Sequence, residues 1–196
     1  MTKQAVILCA GKGERLISTE RGEDFKGTTP KVLLEVGGQP FIKYVVETLR
    51  AAGVEEFFLV VNDHDVGTFA TCGLGDVRFV SAKETINEGV LSVAQGLEEE
   101  FVLLNGDCYP IMSFSEWREF VSRDWGMVTM KAIGGRDAGM AMVVKDDLAQ
   151  GLVDCGNIKG MLKWYERFWV SGGLHVGTPQ GLHRARMYVD IVMFGQ

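Results

Sequence analysis

Arg15, Lys31 and Asp107 are the side chains in this sequence best suited to phosphate and metal chemistry, and each sits beside a short apolar run. Arg15 closes the stretch Leu8-Cys9-Ala10-Gly11-Lys12-Gly13-Glu14-Arg15-Leu16. Glycines after a strand let the backbone approach a phosphate, and exposed N–H groups then cradle its oxygens. A guanidinium adds a fixed cationic fork. The same stretch also reads as a tight turn with a surface arginine. It is no dinucleotide fingerprint, because Leu16 stands where G-x-G-x-x-G needs its third glycine, and it lacks the G-K-[ST] of a Walker A loop. Lys31 follows Pro30 and precedes Val32-Leu33-Leu34; alone, such a lysine is a solvated loop residue. Asp107 ends Asn105-Gly106-Asp107, directly after Phe101-Val102-Leu103-Leu104. A carboxylate at the C-terminal end of a central parallel strand lies in the crevice where open α/β sheets bind ligands. It is a hard ligand for Mg²⁺ shared with substrate phosphates, although a turn residue or helix cap would account for it equally well.

The elements that must position these residues follow from periodicity. Residues 5–9, 57–61, 77–80 and 101–104 are short apolar runs suited to buried strands. Between them, Phe41, Ile42, Val45, Val46 and Leu49 repeat at helical spacing, with Pro40 suited to a first turn and Gly53 to the end. Further helices are expected from about Gly89 to Glu99 and from about Phe114 to Arg123, and a polar surface loop from Ser18 to Thr29. This alternation specifies an α/β, three-layer αβα, Rossmann-like fold with a mostly parallel sheet. Beyond Trp125, Val128–Ala132 and Met140–Val144 read as strands of a hairpin, and the last third gives no clear element order. One domain over residues 1–196 is expected.

Composition narrows the function class. The 196 residues are 46% hydrophobic and 23% charged, with a net charge of −6. That balance argues against a nucleic-acid partner, which needs a basic face, but not against a nucleotide held by a few local donors. No apolar run reaches the length of a membrane span, and the first residues lead into a strand, so a soluble cytoplasmic protein without a membrane partner is expected. Cys9, Cys72, Cys108 and Cys155 are scattered, which suits reduced structural thiols rather than a zinc site.

Taken in order, three segments resemble the sugar-phosphate nucleotidyltransferase family, including its branch of CDP-alcohol cytidylyltransferases. The segments are Leu8 to Leu16, Pro30-Lys31 through Gly37-Gly38-Gln39-Pro40, and Leu103-Leu104-Asn105-Gly106-Asp107, with Ala52-Gly53-Val54 and the strand at Phe57 to Val61 between them. The resemblance covers about residues 5 to 107. It implies the nucleotide-diphospho-sugar transferase type of fold, an NTP and a small phosphorylated acceptor as substrates, Mg²⁺ as cofactor, and pyrophosphate as leaving group. The NTP-binding part would span about residues 1–110 and the acceptor-binding part about 111–196, and a homo-oligomer is compatible with the family. Leu8, Ala10, Gly11 and Gly13 would hold the NTP, Arg15 would neutralise its β- and γ-phosphates, Lys31 would face the α-phosphate and the acceptor, and Asp107 would hold the metal.

Elsewhere the match is looser. Thr85 to Ser92 replaces a glycine-rich run of the family, leaving Glu84, Asn87, Gly89 and Ser92 as nucleotide candidates, with helix capping by Asn87 as the plainer alternative. Lys159 and Gly173 are acceptor-binding candidates, although Lys159 lacks a preceding Glu and also reads as a surface lysine, with Lys163 in competition. A second metal carboxylate is expected in a late run of the type Trp-x-Asp-Ile-Asp/Gly-Thr-Pro, and Tyr188-Val189-Asp190-Ile191 resembles its first half. His64, His175 and His183 are read as structural, because the acceptor phosphate is already anionic. Trp164, Tyr165, Phe168 and Trp169 read as core or interface before acceptor lining. Two rivals stay open: a non-catalytic nucleotide-binding regulator on this scaffold, and a molybdopterin-type guanylyltransferase, which fits the Pro30-Lys31 pair less well.

Overall fold

Strand β1 (Gln4–Leu8) is bonded on both edges, to β4 (Glu56–Val61) and to β6 (Glu100–Asn105), both parallel to it. A strand flanked on both edges and covered on both faces has no solvent side, so its sequence shows no polar alternation. The computed structural model describes residues 3–11, 16, 29–82, 85–94, 96–122, 128–132, 137–155, 157–161, 166–170 and 172–194. A seven-stranded sheet runs through it in the order β10-β8-β9-β6-β1-β4-β5, with β5 at Arg78–Ser81, β8 at Val128–Ala132, β9 at Asp137–Val144 and β10 at Glu166–Val170. Only β9 runs against the others, because it pairs antiparallel with both β6 and β8. Two short antiparallel ribbons stand apart: β2 (Glu35–Val36) with β3 (Gln39–Pro40), and β7 (Cys108–Ile111) with β11 (Gly172–His175).

Strand geometry sends successive side chains to opposite faces, and this divides the core in two. Ala5, Ile7, Leu59, Val61, Val102 and Leu104 point to one face. There they meet α1 (Phe41–Ala52), α4 (Phe114–Ser122) and α7 (Pro179–Phe194). Val6, Phe58, Val60, Phe101 and Leu103 point to the other face. Their partners are α3 (Ile86–Ala94), α5 (Lys145–Cys155) and the short α6 (Ile158–Met161). One more short helix, α2 (Val66–Ala70), follows β4. The three-layer α/β expectation holds, and so does the β8–β9 hairpin. Helix α1 ends as its sequence indicates, with Gly53 at φ 114° and its N–H bonded to the carbonyls of Leu49 and Arg50.

Two expectations need correction. Helix α3 starts three residues before Gly89 and stops well short of Glu99. Its start is set by a reciprocal capping box: Thr85 Oγ1 accepts the Glu88 N–H at 3.2 Å, and Glu88 Oε2 accepts the Thr85 N–H at 3.1 Å. Thr85, not Asn87, is therefore the cap. Removing the hydroxyl in Thr85→Ala is expected to cost about 1 kcal/mol, read from chemical denaturation. In a Glu88→Ala background most of that cost should remain, because the hydroxyl bonds to the Glu88 backbone N–H, which that change keeps. Secondly, the last third carries five further elements, α5, α6, β10, β11 and α7. The run Tyr188 to Ile191 is continuous helix within α7, where Leu182, Ala185 and Val189 are buried at helical spacing. Of the aromatic group, Phe168 packs edge-on against Phe120 at 5.6 Å, which agrees with the core reading.

Candidate functional site

The C-terminal ends of β1 and β6 meet at one point, and backbone contacts hold them there. The Gly106 N–H donates to the Leu8 carbonyl at 3.0 Å and the Cys9 N–H to the Val60 carbonyl at 2.8 Å. A Cβ at Gly106 would lie 2.8 Å from Cys9 Sγ and 3.1 Å from Leu8 O, so glycine is what allows the two strand ends to touch. The next residue, Asp107, is buried at 6% exposure. Its backbone carbonyl accepts the Val176 N–H at 2.9 Å, which ties the β7–β11 ribbon over the strand end.

The Asp107 carboxylate carries the electrostatics of the site. Lys31, in the 3₁₀ turn Lys31–Leu33 on the far side of the first loop, forms an ion pair with Asp107 Oδ2. His175 Nε2 lies 3.1 Å from the same oxygen, and Cys108 Sγ donates to Oδ1 at 3.4 Å. Burial, the largest influence on Asp107, would raise its pKa. The hydrogen bond from His175 and the charge and hydrogen bond of Lys31 outweigh it, holding the carboxyl well below the usual carboxylate range and ionised. Cys9 is pushed the other way: burial raises its thiol far above the ordinary value, the Asp107 charge raises it further, and Lys31 only partly offsets both. Such a thiol is inert toward nucleophilic chemistry.

Gly11 gives Lys31 its path, since a Cβ there would stand 2.9 Å from Lys31 Cε and 3.1 Å from Nζ. Those atoms are the end of a flexible chain, so Gly11→Ala should leave stability nearly unchanged. Displacing the ammonium should nevertheless lower turnover by about tenfold or more. A matched melting temperature alongside a steady-state rate measurement would check this.

The other candidates divide into three groups. Leu8 and Ala10 frame the first loop through their carbonyls, Ala10 O accepting from Asn62 Nδ2 at 3.4 Å. Gly89 is buried against the sheet, where a Cβ would meet Val60 Cγ1 at 2.6 Å and Ala82 Cα at 3.1 Å, so its small size serves helix packing. Ser92 is exposed on α3 with its hydroxyl donating to Gly89 O at 2.8 Å, and Asn87 lies in the first turn of the same helix. Gly173 is exposed on β11, opposite Pro110. Lys159 lies in α6 and Asp190 in α7, but the side chains of both fall outside the described residues. Gly13, Arg15, Glu84, Lys163 and nearly all of the Ser18 to Thr29 loop also fall outside them.

The residue that sequence reasoning missed is His175. A signal for it was present: the Gly-Thr-Pro expected to end the late metal-binding run is Gly177-Thr178-Pro179, directly after His175-Val176. Aligned on that tripeptide, the expected carboxylate falls on His175, across from Asp107. A ligand set was sought among carboxylates, and a histidine stands there instead.

Comparison with known proteins agrees with this architecture. Residues 5–126 match the family model described as the MobA-like NTP transferase domain. The chain is 31% identical over 111 residues to the bifunctional protein GlmU of Syntrophomonas wolfei, covering 55% of this chain and 23% of that protein. It is 32% identical over 115 residues to the N-acetylmuramate alpha-1-phosphate uridylyltransferase of Neisseria meningitidis, covering 56% of this chain and 46% of that one. The alignments thus span between 21% and 33% of the length of several bifunctional relatives. Among solved structures, a glucose-1-phosphate thymidylyltransferase from Bacillus anthracis shares the fold at TM-score 0.77 and 15% identity, over 98% of this chain and 97% of its own. UTP-bound UGPase from Acinetobacter baumannii does so at TM-score 0.74 and 16% identity, over 97% and 94%.

Nucleotidyltransferases of this family generally use a divalent metal. Asp107, Cys108 and His175 place one carboxylate, one thiol and one imidazole within 4.8 Å of one another. That set does not fit a metal held between protein carboxylates. Among the described residues Asp107 supplies the only carboxylate, and Lys31 already neutralises it. No helix among the described residues is long and apolar enough to cross a membrane.

Proposed function

The chain belongs to the MobA-like NTP transferase family, and on that premise we propose that it transfers a nucleotidyl group from an NTP to a sugar 1-phosphate or similar small phosphorylated acceptor. An acceptor phosphate oxygen forms the new bond to the α-phosphorus while the bond to the β-phosphate oxygen breaks, and pyrophosphate leaves. The observation that carries this reading is the Lys31 ammonium, held against Asp107 and alongside Gly11 where the first loop leaves β1. A cation fixed beside Gly11 at the sheet's carboxyl edge is suited to an α-phosphate and an incoming phosphate together.

Lys31 reduces the repulsion between the two anions, and Asp107 keeps the ammonium aimed. In this reading the roles of Gly13 and Arg15 are to bind the triphosphate, those of Glu84, Asn87 and Ser92 to bind the nucleoside, and those of Gly173 and Lys159 to bind the acceptor. No side-chain nucleophile or base is required, because the attacking oxygen is already anionic. Mg²⁺ neutralises triphosphate charge when it accompanies the nucleotide. A cytoplasmic setting, where NTPs are available, suits this activity.

Pyrophosphate release tests the proposal, with each NTP assayed against sugar 1-phosphates and phosphorylated alcohols beside Asp107→Ala. Release with one pair, lost in the variant, is the expected result and names the substrates. Nucleotide binding with no release across the panel would replace the enzyme with a nucleotide-sensing regulator on the same scaffold.

A further inference from the structure

We propose that His175 keeps the free protein from loading a divalent cation at Asp107, so that the cation enters only as a chelate of the nucleotide. The inference rests on the reading of Asp107 as the phosphate-facing centre, and it deepens that reading by assigning an order to binding.

The hydrogen bonds around the imidazole carry the argument. The Gly177 N–H donates to His175 Nδ1 at 3.2 Å, which makes Nδ1 the acceptor nitrogen of the ring. The ring proton then sits on Nε2, which faces Asp107 Oδ2 at 3.1 Å and donates to it. A histidine held in this tautomer offers no lone pair to a metal from the nitrogen that points into the centre. Room to escape the arrangement is small, since a Cβ on Gly177 would lie 2.8 Å from His175 Nε2 and 2.9 Å from Asp107 Oδ2. Lys31 donates to the same Oδ2 and cancels the charge of Asp107, while Oδ1 accepts from Cys108. Hard dications bind in proportion to the number and charge of oxygen ligands. Here the described centre offers one carboxylate, no net charge and two N–H donors on its inner oxygen. A nucleotide triphosphate brings the missing anionic oxygens and competes with Asp107 for Lys31.

The test titrates Mn²⁺ into the full chain without nucleotide and follows free Mn²⁺ by electron paramagnetic resonance. The wild-type chain is expected to leave the free-ion signal undiminished. His175→Asp, which restores a second carboxylate and removes the donor, should take up one Mn²⁺ per chain, an affinity gain of roughly tenfold or more. Adding Asp107→Asn to that variant should abolish the uptake. His175→Glu serves as a second variant, with circular dichroism and thermal melting confirming that each is folded. Stoichiometric Mn²⁺ uptake by the free wild-type chain would overturn the proposal, as would folded acidic variants that gain none. Pyrophosphate release measured in parallel separates the two readings. Activity together with Mn²⁺ uptake by the free chain overturns only the binding order, whereas no release from any substrate pair removes the premise as well.

Discussion

Lys31→Met is expected to damage this protein twice over, lowering turnover by about 10²- to 10³-fold and stability by about 3 kcal/mol. The rate loss is that of removing one preorganised charge from the reacting phosphates. The stability loss has a different origin. The Lys31 and Asp107 side chains are 14% and 8% exposed, so the carboxylate left behind in Lys31→Met is buried and uncompensated. Breaking such a pair from one side costs about 3–5 kcal/mol, and the surviving His175 hydrogen bond places this case at the lower end. For a chain of this size that corresponds to a fall in Tm of about 6–12 °C. Asp107→Asn should behave otherwise, at about 1 kcal/mol, because its amide keeps the shape and the long lysine can turn to water. The double variant should therefore be more stable than Lys31→Met alone. Thermal melts of the three proteins check the order, and a double variant as unstable as the sum of its parents would contradict it.

Gly181→Ala should have the second large effect, and it reaches the site from outside. Gly181 lies in the first turn of α7, where its N–H donates to the capping Thr178 Oγ1 at 3.2 Å. A Cβ there would overlap the backbone carbonyl of His175, with Thr178 Oγ1 only 3.1 Å away. Backbone cannot swing aside as a side-chain tip can, so helix and strand must part. The expected cost is about 3 kcal/mol. Because β11 carries His175 and is bonded to the Asp107 carbonyl through Val176, the shift also moves the imidazole away from Asp107. Turnover should fall even at temperatures where the variant remains folded. The contrast with Gly11→Ala, where only a lysine end is displaced, separates the two effects: one variant loses stability and rate, the other rate alone.

Much of the amino-terminal half could be read in advance because its signals are local. An apolar run too short for a helix and ending in glycine can be little other than a buried strand and a tight turn, and β1 and β6 obeyed this. Lys31 and Asp107, 76 residues apart in sequence, were singled out by residue type and neighbouring pattern, and they form one ion pair. The carboxyl-terminal third behaved differently. Helix α7 has a mixed surface, with Leu182, Ala185 and Val189 buried between exposed residues, and Tyr188 to Ile191 viewed alone matched a motif better than a helix.

What the sequence determined by itself was the α/β class, the order of the central elements and the identity of the charged pair, since these depend on periodicity and chemistry within short windows. What only the tertiary structure decided was the partner of that pair. His175 reaches Asp107 because the β7–β11 ribbon folds back over the end of β6 in an antiparallel register that sets His175 beside Cys108. Such a register is fixed by hydrogen bonds between residues more than sixty positions apart, so the local tripeptide Gly177-Thr178-Pro179 marks the position of the histidine but not the residues it meets.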